Sequence, residues 1–250
     1  MALQGILWAA VTFAVAGIGW PVSASAAECS GRSDEPIVKL LSPPPCETCE
    51  ETKAELDELA GLEQARTKEQ EKHVSQDLER SVARFLAGAN IAFDAGELKK
   101  CEGFFLERRK EQKAAVDAAK NSFCRLRPFK TPGNRLHPVD GALPDDSFSY
   151  PSGHAAYGAT LGFLLAEMLP EKRAAIYNRI NDYAYGRMIA GVHFRRDVEA
   201  GKLIGAAVSL AYLGRRDKQA EYDAAQSCVR KAVGLSSVSG ANAGAEPKSR

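Results

Sequence analysis

The chain lacks a marked excess of either charge, because its 250 residues include 33 Lys and Arg against 32 Asp and Glu. A protein that mainly binds nucleic acid carries a clear basic excess, so such a partner is not expected. The sequence also lacks an internal repeat and a convincing β-strand pattern. Its apolar runs at residues 161–169 and 203–213 are too short to cross a bilayer. We therefore expect core helices at these two runs.

The first 27 residues lack charged side chains altogether. Within them, residues 6–20 are largely apolar and residues 23–27 are small, which is typical of a secretory signal peptide, although the usual Lys or Arg near the start is missing. An uncleaved membrane anchor is the alternative, but the apolar stretch is short and is interrupted by Pro21. We expect cleavage near Ala26 or Ala27 and a mature chain in the periplasm.

Beyond this segment the sequence predicts an all-α fold, with a single compact helical-bundle domain. Residues 28–49 are predicted to form an extended, Pro-rich arm, residues 50–235 the domain, and residues 236–250 a disordered tail. The Pro- and Gly-rich stretch 129–150 is predicted to be a long functional loop. From Glu50 the pattern becomes helical, with Leu56, Leu59, Leu62 and Ala65 at three-residue steps. Further helices are predicted at Asp77–Ala89, Glu97–Cys124, Gly153–Met168, Glu171–Ala190, Arg195–Leu213 and Gln219–Val233.

Six cysteines follow the predicted signal peptide, and export would allow them to form disulfides, for which fifteen pairings exist. One pairing is disfavoured. If Cys101–Cys124 is mostly one helix, its ends lie roughly 35 Å apart, whereas a disulfide requires Cα atoms within about 7 Å. Cys46 and Cys49 are spaced as in a redox pair or a zinc half-site, but no second Cys pair or nearby His accompanies them. A structural disulfide is the preferred interpretation.

The first of three motifs that suit an anion consists of Lys120, Arg127 and Pro128. Seven residues, about two helical turns, separate Lys120 from Arg127, so both can project from one face if the helix continues. Pro128 would then stop the helix and fix the direction of Arg127. A basic pair at a helix end is also an ordinary partner of solvent and of the helix dipole.

The second motif is Pro151-Ser152-Gly153-His154, which precedes an apolar helix. Ser152 suits the N-cap, and Gly153 lets a backbone N–H approach a ligand closely. Because a helix N-terminus offers free N–H groups and the positive end of the dipole, it favours phosphate. An ordinary capped helix with a surface His is the alternative.

The third motif combines Arg187, His193 and Asp197. His193 and Asp197 are four residues apart, the spacing at which helical side chains meet. A carboxylate bound to one ring nitrogen leaves the other nitrogen free to attack. Arg187 adds a planar fork that suits phosphate oxygens. Taken alone, this cluster is also compatible with a surface His–Asp pair.

The order of the three motifs resembles the three-part signature of the type 2 phosphatidic acid phosphatase superfamily, which also includes vanadium haloperoxidases. The chain is still more similar to bacterial class A nonspecific acid phosphatases, over about residues 38–213. The matching segments are Leu40-Leu41-Ser42-Pro43-Pro44-Pro45, Ala119-Lys120, Arg125-Leu126-Arg127-Pro128-Phe129, Ser149-Tyr150-Pro151-Ser152-Gly153-His154, Arg187-Met188-Ile189-Ala190-Gly191-Val192-His193 and Asp197-Val198. This resemblance implies the helical fold of the acid phosphatase and haloperoxidase type.

The resemblance also implies how phosphate is bound. Lys120, Arg127 and Arg187 would hold the nonbridging oxygens, and the Ser152 hydroxyl with the Gly153 N–H would complete the site. Three fixed cations supply the positioning and charge neutralisation that phosphoryl transfer requires, so no metal and no cofactor are expected.

By the same resemblance, His193 is the nucleophile that forms a transient phosphohistidine, and Asp197 orients it. His154 is the general acid that protonates the leaving group and then the base that activates water. The expected function is therefore a broad-specificity acid phosphatase acting on phosphate monoesters, with activity below neutral pH. A homodimer is a further implication of the family.

The sequence departs from the family pattern at a few positions. Gly186 replaces the usual Ser before the third-motif Arg, Phe148 replaces a Gly, and Ala155 replaces a Thr. Residues 131–146 do not match, and they include His137, which is a candidate to touch substrate. His73 has no evident partner and is interpreted as a surface residue.

Four alternative functions remain at this point. A vanadate-dependent haloperoxidase would use the same anion site, but such chains are longer. A lipid-phosphate phosphatase of the superfamily would require several membrane spans, and a phosphotransferase of the same superfamily is a further alternative. A helical binding module without activity is disfavoured because every charged motif position is intact.

Overall fold

The computed structural model describes residues 35–142 and 147–236, and helices are the regular structure of these two ranges. No β-strand occurs within them, which confirms the predicted all-α class. The predicted signal peptide and nearly all of the predicted tail lie outside the described residues. The helices are α1 (Pro36–Lys39), α2 (Glu50–Ala65), α3 (Lys68–Gln76), α4 (Val82–Gly88), α5 (Ala95–Lys100), α6 (Glu102–Phe123), α7 (Gly153–Met168), α8 (Arg173–Ile189), α9 (Arg195–Leu213) and α10 (Gln219–Ala232).

Two predicted helices differ from the structure by more than a residue or two at their ends: one begins later and the other is divided. The helix expected over 77–89 is only α4, because the Ser81 hydroxyl accepts the Arg84 N–H and so caps the helix at that point. Before it lies α3, a separate helix that the apolar periodicity did not predict. It begins at a capping box in which Thr67 and Gln70 satisfy each other's backbone N–H groups. The helix expected over 97–124 is interrupted at Cys101, which separates α5 from α6.

The sequence predicted an extended Pro-rich arm. In the structure the arm is not wholly extended, because α1 forms a single helical turn in it. Val38 and Leu41 are buried in one cluster with Val116 and Ala119 of α6. These contacts give the short helix an apolar face to cover, and burial of that kind stabilises helices too short to persist alone.

Helix α7 lies at the centre of the domain, where it packs against α6, α8 and α9 and exposes almost none of its surface. The contact with α9 depends on two glycines. A Cβ at Gly201 would lie 2.4 Å from the Ser152 carbonyl oxygen, and one at Gly205 would lie 2.6 Å from that of Ala156. The close approach of the two backbones therefore requires glycine at both positions.

Two disulfides join described residues, namely Cys46–Cys49 and Cys101–Cys228, and Cys124 is disulfide-bonded as well. Because Cys101 pairs with Cys228, the prediction that it does not pair with Cys124 is confirmed. This bond ties the start of α6 to α10. Cys46 and Cys49 form a disulfide just before α2 instead of a zinc half-site. Among the described residues, no helix is both long and apolar enough for a transmembrane span.

Candidate active site

The three motifs converge on a cavity of about 400 Å³ beside the N-terminus of α7. Six of the eight predicted site residues line it: Lys120, Arg127, Gly153, His154, Arg187 and His193. Ser152 and Asp197 do not, since both are fully buried behind the cavity wall. The wall also includes cations that the motifs do not contain, namely Arg80, Arg109 and Lys113, and one carboxylate, Asp117. The cavity is therefore strongly electropositive.

His193 and Asp197 meet, although not across a helix face as their spacing suggested. Phe194 is the N-cap of α9, so His193 precedes the helix and Asp197 lies in its first turn. The carboxylate accepts the Phe194 N–H at 2.9 Å, and its Oδ2 lies 3.3 Å from Nδ1 of His193. The helix start thus fixes the carboxylate directly behind the imidazole.

Nη1 of Arg127 lies close to both ring nitrogens of His193, 2.6 Å from Nε2 and 3.3 Å from Nδ1. A carboxylate can only accept hydrogen bonds, so the ring nitrogen that faces Asp197 donates and Nε2 carries the lone pair. The proton then resides on Nδ1, which faces Asp197. Burial, followed by the nearby charges of Arg127 and Lys120, lowers the pKa of His193 well below its usual value, so the neutral ring is favoured.

Asp197 has two further partners that the sequence did not predict. Arg125 donates to its Oδ1 at 2.9 Å, and the Ser149 hydroxyl donates to Oδ2 at 2.5 Å. Arg125 also donates to the buried carboxylate of Glu55 on α2, at 2.6 Å. Arg125 and Ser149 stand within the motif flanks, which was the available signal, whereas nothing in the sequence pointed to Glu55.

The three predicted phosphate-binding cations are all nearly buried. Burial, and then the charge of Arg127, lowers the pKa of Lys120 to about 7. Burial lowers the pKa of Arg127 and of Arg187 to about 10. Each of these cations lacks a full set of hydrogen-bond partners or is crowded by its neighbours. Nε and Nη1 of Arg187, for example, have no partner within the described residues. An anion in the cavity would accept hydrogen bonds from these cations and offset the repulsion between them.

Arg127 does not lie on the same helix as Lys120, contrary to the sequence prediction. Helix α6 ends at Phe123, and Cys124 adopts a left-handed conformation that turns the chain. Arg127 then lies in an extended segment, where it donates to the carbonyl oxygens of Ser147 and Val192, both at 3.0 Å. These two backbone contacts, instead of a continued helix, aim its guanidinium at His193.

His154 lies in the first turn of α7 and is stacked on Tyr183, with ring centroids 4.6 Å apart. Its Nδ1 accepts a hydrogen bond from Nε of Arg80 at 3.3 Å. Burial, then the charges of Arg187 and Arg80, lowers the pKa of His154 well below its usual value. None of the three motifs contains Arg80, so its place in the cavity was not predicted.

Ser152 is the N-cap of α7, as predicted, because its hydroxyl accepts the Ala155 N–H at 3.3 Å. The Ser152 N–H donates to the Asp197 carbonyl oxygen at 2.8 Å, which joins the starts of α7 and α9. Gly186, which replaces the family's Ser, packs closely on α3, since a Cβ there would lie 3.1 Å from Cγ1 of Val74. The close packing of α3 accounts for glycine at this position.

The two remaining histidines lie outside the cavity. His137 is exposed, bonds to Glu63 through its N–H and Nδ1, both at 2.9 Å, and lines a separate cleft. His137 therefore does not line the proposed active-site cavity, and a contact with substrate stays a prediction. His73 does have partners, since its Nε2 lies 3.0 Å from Asp182 and 3.5 Å from Asp77.

His73, Asp77 and Asp182 bring three potential metal-ligand atoms together. Their carboxylates, however, are already bound by guanidinium groups: Arg179 contacts both, and Arg84 donates to Asp77 at 2.7 Å. Two arginines offset the two carboxylates, so little negative charge remains to attract a divalent cation. We interpret this cluster as an ion-pair network that joins α3 to α8.

Comparison with known families agrees with this geometry. Residues 112–220, which contain all three motifs, match the model of the PAP2 superfamily. This segment is therefore similar to a PAP2 superfamily domain. The resemblance found in the motifs is thereby confirmed.

Curated proteins that this chain resembles include acid phosphatases. A non-specific acid phosphatase of Salmonella typhimurium is 37% identical over 93 residues, which are 37% of either chain. A non-specific acid phosphatase of Providencia stuartii is 33% identical over 99 residues, 38% of this chain and 40% of the relative. An acid phosphatase of Zymomonas mobilis is 26% identical over 149 residues, 59% and 56% of the two chains. In each case the match spans less than two thirds of the relative.

A solved structure shares the PAP2 fold at lower sequence similarity. It is the crystal structure of a transmembrane PAP2 type phosphatidylglycerolphosphate phosphatase from Bacillus subtilis, with a TM-score of 0.51 and 18% identity. The superposition covers 73% of this chain and 92% of the other. At this identity the likeness concerns the fold alone.

Proposed function

We propose that the protein is an acid phosphatase of broad specificity that hydrolyses phosphate monoesters through a phosphohistidine on His193, without a metal ion. The observation that carries the proposal is the environment of this one ring. Its Nδ1 faces the buried carboxylate of Asp197, while Nε2 lies 2.6 Å from the cationic Arg127 at the cavity. A nucleophilic nitrogen and an anion-binding group therefore lie next to each other at the cavity.

In the first step, the lone pair on Nε2 of His193 forms a bond to phosphorus as the bond between phosphorus and the ester oxygen breaks. Lys120, Arg127 and Arg187 neutralise charge on the nonbridging oxygens. His154 gives its proton to the departing oxygen. In the second step, water loses a proton to His154 and attacks phosphorus, which releases phosphate and restores the lone pair on Nε2.

The proton on His154 requires an explanation, because burial and the surrounding cations favour its neutral form in the empty site. A bound phosphate dianion places opposite charge beside the same ring and raises its pKa. Substrate and proton therefore bind together, and acidic solution favours the complex. His193 must be neutral to act as the nucleophile, and its burial and the adjacent cations Arg127 and Lys120 favour that form.

The proposal is tested by trapping labelled phosphoenzyme with an alkaline denaturing quench during hydrolysis of an aryl phosphate, because the P–N bond of a phosphohistidine is hydrolysed in acid. The wild-type protein should carry label, and His193→Ala should lose both label and turnover. His154→Ala should retain label, and it should lose far more activity on alkyl than on aryl phosphates, because a good leaving group needs little protonation. Asp197→Asn should lose less activity than His193→Ala. Label on His193→Ala would contradict the assignment.

Two additions to the same assay address metal and redox chemistry. Activity should survive EDTA, and orthovanadate should inhibit because it mimics the five-coordinate transition state. With vanadate, bromide and peroxide, no bromination should occur. Complete loss of activity on chelation, restored by zinc or magnesium, would overturn the metal-free mechanism.

We also propose that the protein is exported to the periplasm after cleavage near Ala26 or Ala27. The uncharged start and the small residues before the predicted cleavage site support this proposal. N-terminal sequencing of the protein purified from its native cells should begin near Ala27 or Glu28. Recovery of a cytoplasmic species that begins at Met1 would refute it.

A further inference from the structure

The cavity extends well beyond the proposed phosphate-binding cations, along one face of α6. Arg109, Lys113, Val116 and Lys120 are spaced at three- and four-residue steps and all line it. Only Lys120, at the inner end, belongs to the proposed phosphate site. Arg109 lies eleven residues earlier, about 16 Å along the helix axis at 1.5 Å per residue. A substrate that reaches the inner end can therefore extend past Lys113 towards Arg109.

The two cations at the outer end, Lys113 and Arg109, differ in their partners. Lys113 forms an ion pair with Asp117, one turn further along α6. Arg109, by contrast, has no carboxylate partner within the described residues, and its guanidinium lies 5.6 Å from the ring centroid of Tyr157. Tyr157 is buried, so this contact holds the guanidinium against a fixed surface while its donors remain available.

A partly exposed guanidinium that lines a cavity without a carboxylate partner suits a planar anion, because its N–H groups match carboxylate and phosphate oxygens in pairs. The scissile phosphate cannot be this anion, since it occupies the inner end. We propose that Arg109 binds a second anionic group, phosphate or carboxylate, at the far end of the substrate. The enzyme would thus prefer elongated, doubly anionic phosphate esters, a preference that rests on the proposed phosphatase function.

The test compares three substrates with the same six-carbon chain: the monophosphate of hexane-1,6-diol, its bisphosphate, and the phosphate ester of 6-hydroxyhexanoate. For the wild-type protein we expect kcat/KM for the two doubly anionic esters to exceed that for the monophosphate by about tenfold. The effect should appear mainly in KM and should weaken at high salt. The bisphosphate and carboxylate arms distinguish the two kinds of second anion.

Arg109→Gln should remove most of this preference, leaving about the twofold statistical advantage of two equivalent ends for the bisphosphate. Arg109→Lys keeps the charge and should restore part of the preference. The matched control is Lys110→Gln, which removes one charge from an exposed residue of the same helix, paired with Glu107 outside the cavity. It should change neither the preference nor the activity.

Binding of the non-hydrolysable hexane-1,6-bisphosphonate and of hexylphosphonate, measured by calorimetry, tests the same site without turnover. Tighter binding of the bisphosphonate, lost in Arg109→Gln, supports the second anion site even if no ester is hydrolysed. An unchanged ratio of the two affinities in Arg109→Gln, or no preference in the wild-type protein, would overturn it. If the aryl phosphate is hydrolysed through His193 while this ratio is unchanged, only the second anion site fails.

Discussion

Lys120 is the cation of the proposed phosphate site whose charge depends on pH in the neutral range. Burial and the nearby Arg127 lower its pKa to about 7, so the ammonium is charged below that pH and neutral above it. Affinity for an anion should therefore be highest in acidic solution and fall as pH rises through about 7. Sulfate is the suitable probe, because its own charge is constant over this range.

The measurement is the inhibition constant of sulfate between pH 5 and 9. We expect it to rise above pH 7 in the wild-type protein. In Lys120→Arg this inflection should be absent, because a guanidinium keeps its charge throughout the range. A constant that does not change near pH 7 in the wild-type protein would show that the Lys120 ammonium does not control anion binding.

At the scale of single residues, the sequence predicted the groups that face the cavity better than the groups that support them. Lys120, His154 and His193 stand in motifs whose chemistry can be interpreted directly. Arg125 donates hydrogen bonds to Asp197, 72 positions away, and to Glu55, 70 positions away. No local periodicity or spacing relates residues so distant in sequence, so these contacts required the folded structure.

The packing of α7 on α9 links the proposed site to two glycines. A Cβ at Gly201 would clash with the Ser152 carbonyl and push the start of α7 away from α9. We expect Gly201→Ala to lower stability by about 1–3 kcal/mol, as overpacking does, and to lower kcat/KM because Gly153 and His154 move with this turn. Gly205→Ala should lower stability similarly and affect kcat/KM less, since it contacts α7 a turn further from the site.

The matched control is Gly61→Ala in α2, where a Cβ meets no atom within 4 Å. It should raise stability by up to about 1 kcal/mol, because Ala has the better helix propensity. Thermal melting and kcat/KM, measured at a temperature where all variants are folded, provide the comparison. Equal loss of kcat/KM in Gly201→Ala and Gly205→Ala would contradict the role of the Ser152 turn.

At the scale of helices, the sequence predicted most accurately where one apolar or capped segment forms one helix. The predicted bounds of α7 and α9 are those of the structure. The prediction failed around α3, a largely polar helix that begins at a capping box and buries only Val74. Such a helix forms through its cap and its ion pairs with α8, and the latter depend on tertiary structure.

For the molecule as a whole, the Cys101–Cys228 disulfide closes a long loop, with a sequence separation of 127, around the segment that matches the PAP2 superfamily. In the chain-entropy model, a bond that closes about 100 residues or more stabilises by about 5 kcal/mol, and one that closes a few residues by about 2 kcal/mol. Replacing Cys101 and Cys228 together by Ser should therefore lower the free energy of unfolding more than the same change at Cys46 and Cys49.

Neither pair lines the proposed active-site cavity, so both double variants should hydrolyse aryl phosphates normally at 25 °C when folded. Denaturant titration of the two variants and the wild-type protein provides the comparison. A larger loss for the Cys46 and Cys49 variant would contradict the loop-length argument.

The almost complete burial of α7 also determines how fast its amide protons exchange with deuterated water. A helix covered by neighbours on every side cannot open alone, so its middle turns should exchange only through global unfolding. Ser152, Gly153 and His154 begin this same helix. The proposed phosphate-binding residues Ser152 and Gly153 and the proposed acid His154 are therefore attached to the segment that we expect to exchange most slowly. Solution conditions that loosen this segment loosen the whole domain at the same time.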